Sequence, residues 1–128
     1  MSLLFLTQDD VLLLHKQGID EFGGTNGLRD AGTLESALPA AENRAYYEQA
    51  NLVECAATYA YHLSQAHAFI DGNKRIAASV AELFIRLNGF RLMMTNAEIV
   101  ELFLNIAAGQ TTRDDVEQLF EQRIVKAE

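Results

Sequence analysis

The chain has 128 residues, with 18 acidic side chains against 10 basic ones, a single cysteine and a formal net charge of −8. That acid excess argues against a surface built to lie on nucleic acid, whose affinity requires counterion-releasing Lys and Arg, and suits a basic protein partner instead. One cysteine excludes an intrachain disulfide and points to a reducing compartment. No apolar run approaches the ~20 residues of a membrane span, and the opening Met1–Thr7 lacks the basic lead and long apolar core of a signal peptide, so the expectation is one cytoplasmic domain over residues 1–128.

Helical signals dominate from the start. Thr7 with Asp10 three residues on reads as a capping box, and Leu6 and Val11 stand where a hydrophobic staple places them, predicting a first helix over 8–17 that Gly18 stops. From 18 to 32, Gly18, Gly23, Gly24, Gly27 and Gly32 break up a polar stretch, predicting an irregular flap or short hairpin of the kind that carries function. Thr33 is placed to cap a short helix through Leu34 and Leu38, and Pro39 ends it or opens the next, over 40–47. A longer helix is predicted over 51–65 with Leu52, Cys55, Ala56, Tyr59, Ala60 and Leu63 on one side. The strongest pattern runs over 76–87, where Ile76, Val80, Leu83, Phe84 and Leu87 form a stripe and Asn88-Gly89 supplies a left-handed stop. Thr95 with Glu98 opens a helix that turns Ile99, Leu102, Phe103 and Ile106 inward and closes at Gly109; Thr111 or Thr112 starts a last one carrying Val116, Leu119 and Phe120. The predicted fold class is an all-α, compact single-domain bundle of about six helices.

The chemistry concentrates in His67-Ala68-Phe69-Ile70-Asp71-Gly72-Asn73-Lys74-Arg75, directly ahead of the strongest helix. Lys74 and Arg75 fall in its first turn, where the helix dipole disfavours a cation by about 0.3–1 kcal/mol each, so an anion is expected there. Free N–H groups at a helix start already cradle phosphate, Gly72 lets the chain approach closely, and Asn73, Lys74 and Arg75 add donors aimed at the same place. His67 is suited to accept a hydroxyl proton near neutrality, and Asp71 is an oxygen ligand of the kind Mg²⁺ prefers beside phosphate. Phe69 is expected to turn inward and anchor the segment. His62 lies in the preceding helix and reads as a satisfied, partly exposed histidine; a zinc site from His62, His67 and Asp71 has no HExxH or paired-cysteine spacing behind it.

At these residues the chain resembles the Fic/Doc superfamily in its Doc, or death-on-curing, branch. The segment matches the form HxFx(D/E)(G/A)NK(R) at every defining position, and the likeness extends through Gly27-Leu28-Arg29-Asp30-Ala31-Gly32-Thr33-Leu34-Glu35-Ser36-Ala37-Leu38 and Leu87-Asn88-Gly89-Phe90. The resemblance implies the helical Fido fold, with a target-docking flap at 18–32. In Fic proteins that transfer AMP, the position of Lys74 is glycine and a further arginine stands at the position of Ala78. The departure here implies transfer of the γ-phosphate of ATP instead, to a hydroxyl of a target protein, with elongation factor Tu the implied target and arrest of translation the outcome. The implied roles are His67 as base, Asp71 holding Mg²⁺ or aiding the base, and Gly72, Asn73, Lys74 and Arg75 on the phosphates. AMP transfer is the alternative enzyme, and a catalytically idle antitoxin-binding module the alternative of another class. No self-inhibitory (S/T)xxxE(G/N) pattern is found, since Glu42-Asn43 has Leu38 where Ser or Thr is required; the implied restraint is a Phd-type antitoxin that folds onto the toxin.

Overall fold

The computed structural model describes residues 2–128. Its elements in chain order are α1 (Gln8–Phe22), α2 (Ala31–Ala37), α3 (Ala40–Glu48), α4 (Leu52–Ala66), α5 (Asn73–Leu87), β1 (Phe90–Leu92), α6 (Asn96–Ala107), α7 (Arg113–Arg123) and β2 (Ile124–Lys126). The bundle is therefore all-α in character with seven helices, and the expectation of about six is met to within the short α2.

Four helices close their own N-termini with reciprocal capping boxes: Thr7 with Asp10, Asn51 with Glu54, Thr95 with Glu98, and Thr112 with Asp115. In each, a side-chain oxygen takes an otherwise orphaned N–H and the acid three residues on returns to the cap. Thr112, not Thr111, is thus the start of α7. The cap of α2 is Asp30 rather than Thr33: Asp30 accepts from the Thr33 N–H, while the Thr33 hydroxyl donates back to the Asp30 carbonyl at 2.9 Å. Pro39 opens α3, where its missing N–H costs nothing.

α4 is the central helix, with α2, α3, α5, α6 and α7 packed around it. It can be buried on most of its circumference because Ala56, Ala57 and Ala60 let neighbours approach while Leu52, Tyr59 and Leu63 fill the gaps. Burial raises the Tyr59 hydroxyl to about 12 and the Cys55 thiol to about 11. The Tyr59 oxygen accepts from the Leu6 N–H at 3.2 Å, tying the N-terminal strap to the core. α5 buries Ile76, Val80, Phe84 and Ile85; Ile85 takes the inward place expected of Leu87, which is exposed.

Two expectations fail. Gly18 does not stop α1, which continues through Ile19 to Phe22 and ends at Gly23, with φ +88°. A mid-helix glycine costs roughly 1 kcal/mol relative to alanine, and burial of Ile19 in line with Val11 and His15 offsets it. Gly18 is also where Arg75 crosses: a Cβ there would lie 3.3 Å from Arg75 Cδ. The flap is accordingly shorter than 18–32, spanning the residues between α1 and α2, and forms no hairpin; its one ladder contact is an antiparallel bridge between Leu28 and Phe69. The antiparallel pair of β1 and β2, registering Phe90 with Lys126 and Leu92 with Ile124, was not foreseen. β1 follows the C-terminal end of α5, whose N-terminal end carries the His67 segment.

Candidate active site

The segment joining α4 to α5 is held at its backbone from three directions. His67 is the C-cap of α4 in the left-handed region, φ 48° and ψ 43°, which residues with a Cβ adopt uncommonly. Arg29 holds the residue there, donating from Nε and Nη2 to the His67 carbonyl at 3.1 and 2.7 Å. The same flap accepts and donates along the next residues: the N–H groups of Arg29 and Asp30 meet the Ala68 carbonyl at 2.8 and 3.0 Å, and the Ile70 N–H meets the Gly27 carbonyl at 3.1 Å. Phe69 is buried at 3% exposure, as expected of the anchor. His67 itself is exposed.

Asn73 supplies the second constraint. Its Oδ1 accepts from the Phe69 N–H and its Nδ2 donates to the Phe69 carbonyl, both at 2.9 Å. One N–H of the amide remains for a ligand, so the geometry makes Asn73 first a brace of the loop and only then a phosphate donor. The third constraint is His15 on α1, which sequence reading passed over. It is 4% exposed, its Nε2 donates to the Asp71 carbonyl at 2.7 Å, and its ring stacks on Phe69 at 3.8 Å between centroids. The available signal was its place four residues from Val11 and four from Ile19 on the buried face of α1.

Asp71 is exposed, and one of its carboxylate oxygens accepts from the Thr25 N–H of the flap at 2.8 Å. Gly72 follows with φ +77°, a value that favours glycine, and becomes the N-cap of α5. Here α5 departs from the capped helices: no side chain caps it, no acid occupies its first turn, and its first intrahelical bond is Ile76 N–H to the Gly72 carbonyl at 2.9 Å. The N–H groups of Asn73, Lys74 and Arg75 therefore point out of the helix start. Lys74 is exposed. Arg75 is turned along α1, donating to the Gly18 carbonyl at 3.3 Å with its guanidinium 5.0 Å over the Phe22 ring. A cavity of about 150 Å³ lies at this place, lined among others by His15, Gly18, Phe22, Gly72 and Arg75.

The structure thus gathers His67, Asp71, Gly72, Asn73, Lys74 and Arg75 at one helix junction, and leaves His62 apart. His62 accepts from Arg113 at 3.2 Å, so its Nε2 is deprotonated, and burial followed by the nearby guanidinium of Arg113 holds its pKa below the ordinary value. Among the described residues no three His, Cys, Asp or Glu side chains form a set that would hold a metal ion by themselves. No helix among them is long and apolar enough to cross a membrane.

Residues 5–85, which run from the strap before α1 nearly to the end of α5, match the Fic/DOC family. The chain belongs to that family. Within it the likeness is to the Doc branch: the chain is 31% identical to the protein kinase doc of Escherichia phage P1 over 112 residues, covering 87% of this chain and 88% of that protein. It is 36% identical to the toxin Doc of Mycolicibacterium smegmatis over 90 residues, covering 69% of this chain and 67% of that one. For a Fic/DOC chain the matched span is the instructive part, since it contains the flap, the His67 segment and every side chain that braces it, whereas α6, α7 and the small sheet lie outside it.

Proposed function

We propose that this Doc-like chain is the toxin of a toxin–antitoxin pair and transfers the γ-phosphoryl group of ATP to a hydroxyl of a target protein. Elongation factor Tu is the target we propose and a Phd-type antitoxin the restraint. The observation that carries the reading is the N-terminus of α5, which is uncapped and acid-free yet bears Lys74 and Arg75. The name of the phage P1 relative, a protein kinase, supports the same chemistry.

The residues present fit Mg²⁺ and a polyphosphate. Open N–H groups behind a glycine N-cap with φ +77° form an anion cradle. Mg²⁺ asks for only one or two protein carboxylates beside phosphate oxygens, and Asp71 presents an exposed carboxylate with one oxygen engaged by Thr25. When bound at Asp71, the ion would neutralise charge on the phosphates. The protein's own part is positioning and proton handling. The backbone at Gly72 to Arg75 and the Lys74 ammonium hold the phosphates, and His67, exposed and oriented by the Arg29 clamp, takes the proton of the target hydroxyl as its oxygen bonds to the γ-phosphorus and ADP leaves.

The test uses purified protein, Mg²⁺ and elongation factor Tu with ATP labelled at either the α- or the γ-phosphate. Label from the γ position on the target, with a mass gain of one phosphoryl group, is the expected result; α-label on the target would replace this reading with AMP transfer. His67→Ala is expected to lower transfer by about a hundredfold or more, the usual worth of a general base, with its thermal unfolding unchanged. Equal growth of cells expressing wild type and His67→Ala without antitoxin, together with no label transfer, would leave a binding module in place of an enzyme.

A further inference from the structure

We infer that His15 is a positioning residue for the transfer: its Nε2–H, bonded to the main chain of Asp71, sets the direction in which the Asp71 carboxylate and the start of α5 meet the phosphates. This rests on the function proposed above, but the geometry behind it does not. His15 is 4% exposed and reaches the segment from α1, more than fifty positions away in sequence, at 2.7 Å. A carbonyl oxygen only accepts, so Nε2 carries the proton and the tautomer of the ring is determined by this contact. The ring is held flat against Phe69, 3.8 Å between centroids and 15° between planes. Its Nε2 also borders Gly72, where a Cβ would lie 3.6 Å from that atom.

A histidine that merely filled the core would bond to anything nearby. This one bonds to the main chain of the residue that joins the exposed carboxylate to the helix start, and that start belongs to α5, which has no side-chain cap of its own. His15 also lines two hollows, the cavity of about 150 Å³ beside Gly72 and Arg75 and one of about 320 Å³ beside Lys16, Asn26, Leu28 and Phe69. The carboxylate of Asp71 is held from the flap by Thr25 while its carbonyl is held from α1 by His15, so a loss at either end lets the residue turn.

Two variants separate donor from bulk. His15→Phe keeps the ring stack on Phe69 and removes the donor; His15→Gln restores an amide N–H at similar reach. The expected result is that His15→Phe lowers kcat about three- to tenfold, the range for one neutral hydrogen bond, while Kd for Mg·ATP measured by calorimetry changes much less, and that His15→Gln recovers most of the loss. Independently of activity, amide exchange of Thr25 should quicken about fivefold in His15→Phe, because its acceptor on Asp71 is loosened, and return toward wild type in His15→Gln. Unchanged kcat and unchanged Thr25 exchange in His15→Phe would overturn the inference and leave His15 as core filling. Equal losses in both variants would also overturn it, since the donor would then be irrelevant. If wild type transfers neither label, the proposed function fails, and the Thr25 exchange arm alone decides whether His15 holds Asp71.

Discussion

Arg44 and Lys74 are cations of the same acid-rich chain, and the fold surrounds them in opposite ways. Arg44, its side chain 12% exposed, meets Glu117 at 2.6 Å, Glu48 at 3.7 Å and Glu54 at 3.8 Å, and donates to the Thr58 hydroxyl at 2.9 Å, joining α3, α4 and α7. Neither Lys74 nor Arg75 makes an ion pair among the described residues. With 18 acidic side chains available, and with acids in the first turns of α1, α3, α4, α6 and α7, the first turn of α5, like that of the short α2, has none. At Arg44, where the positive charge is structural, the chain supplies the counter-ions itself. At the start of α5, where the helix dipole already favours an anion, it supplies none to Lys74 or Arg75, and in the function proposed above that place takes the phosphates of ATP.

The largest expected effect tests the structural half of that contrast. Arg44→Met removes the partner of a Glu117 carboxylate that is 21% exposed. Fully buried pairs lose several kcal/mol when broken, and with Glu48 and Glu54 partly solvated the expected loss here is about 2 kcal/mol in urea unfolding. Adding Glu117→Leu should return most of it, because the orphaned charge is then gone. Transfer per folded molecule should not change. A loss no greater than that of an ordinary surface pair would place Arg44 and Lys74 in one class and remove the contrast.

Lys74→Glu should act with the opposite sign. Exchanging a cation for an anion in the first turn of α5 is expected to stabilise the ligand-free protein by about 0.5–1 kcal/mol. The same change should lower transfer at least about tenfold, since a hydrogen bond to a charged phosphate is worth ~1.5–3 kcal/mol. Melting curves and the labelled-ATP assay on one preparation read both quantities. A variant that loses stability and activity together would show that Lys74 is a structural cation like Arg44.

The same division separates what could be read from the sequence from what could not. The capping boxes at Thr7 and Thr95, the left-handed Gly89 with φ +84° and the inward stripe of α4 are local patterns, and each stands in the structure where the residues place it. The run from His67 to Arg75 was legible for a related reason: its residues are contiguous, so their chemistry is juxtaposed before any folding. What sequence could not show is long-range. Arg29 and His15 hold that run by its main-chain carbonyls from distant elements, and a main-chain acceptor has no residue identity to betray it. Gly18 misled because its local cost was visible and the compensating burial of Ile19 and passage of Arg75 were not. β1 and β2 are three residues each, too short for an alternation to register.

The smallest effect probes the edge of the structural half of the molecule. His62 takes a hydrogen bond from Arg113, which in turn reaches Glu117 at 4.0 Å, so it sits at the edge of the Arg44 network as a neutral acceptor. Burial and the guanidinium push its folded pKa below 6.5, which means the unfolded chain binds the proton first as the pH falls. Stability attached to His62 is therefore whole above that value and drains away on acidification until the folded pKa is reached. Urea midpoints at about pH 7.5 and about pH 5.5 should show the loss in wild type. His62→Gln, whose carbonyl can still accept from Arg113 and does not titrate, should flatten that part of the difference while leaving the stability near pH 7.5 almost unchanged. Because His62 belongs to the self-neutralised network and stands apart from His67, the variant should also leave transfer at wild-type level; a fall in transfer would mean that the two halves of the molecule are coupled through α4.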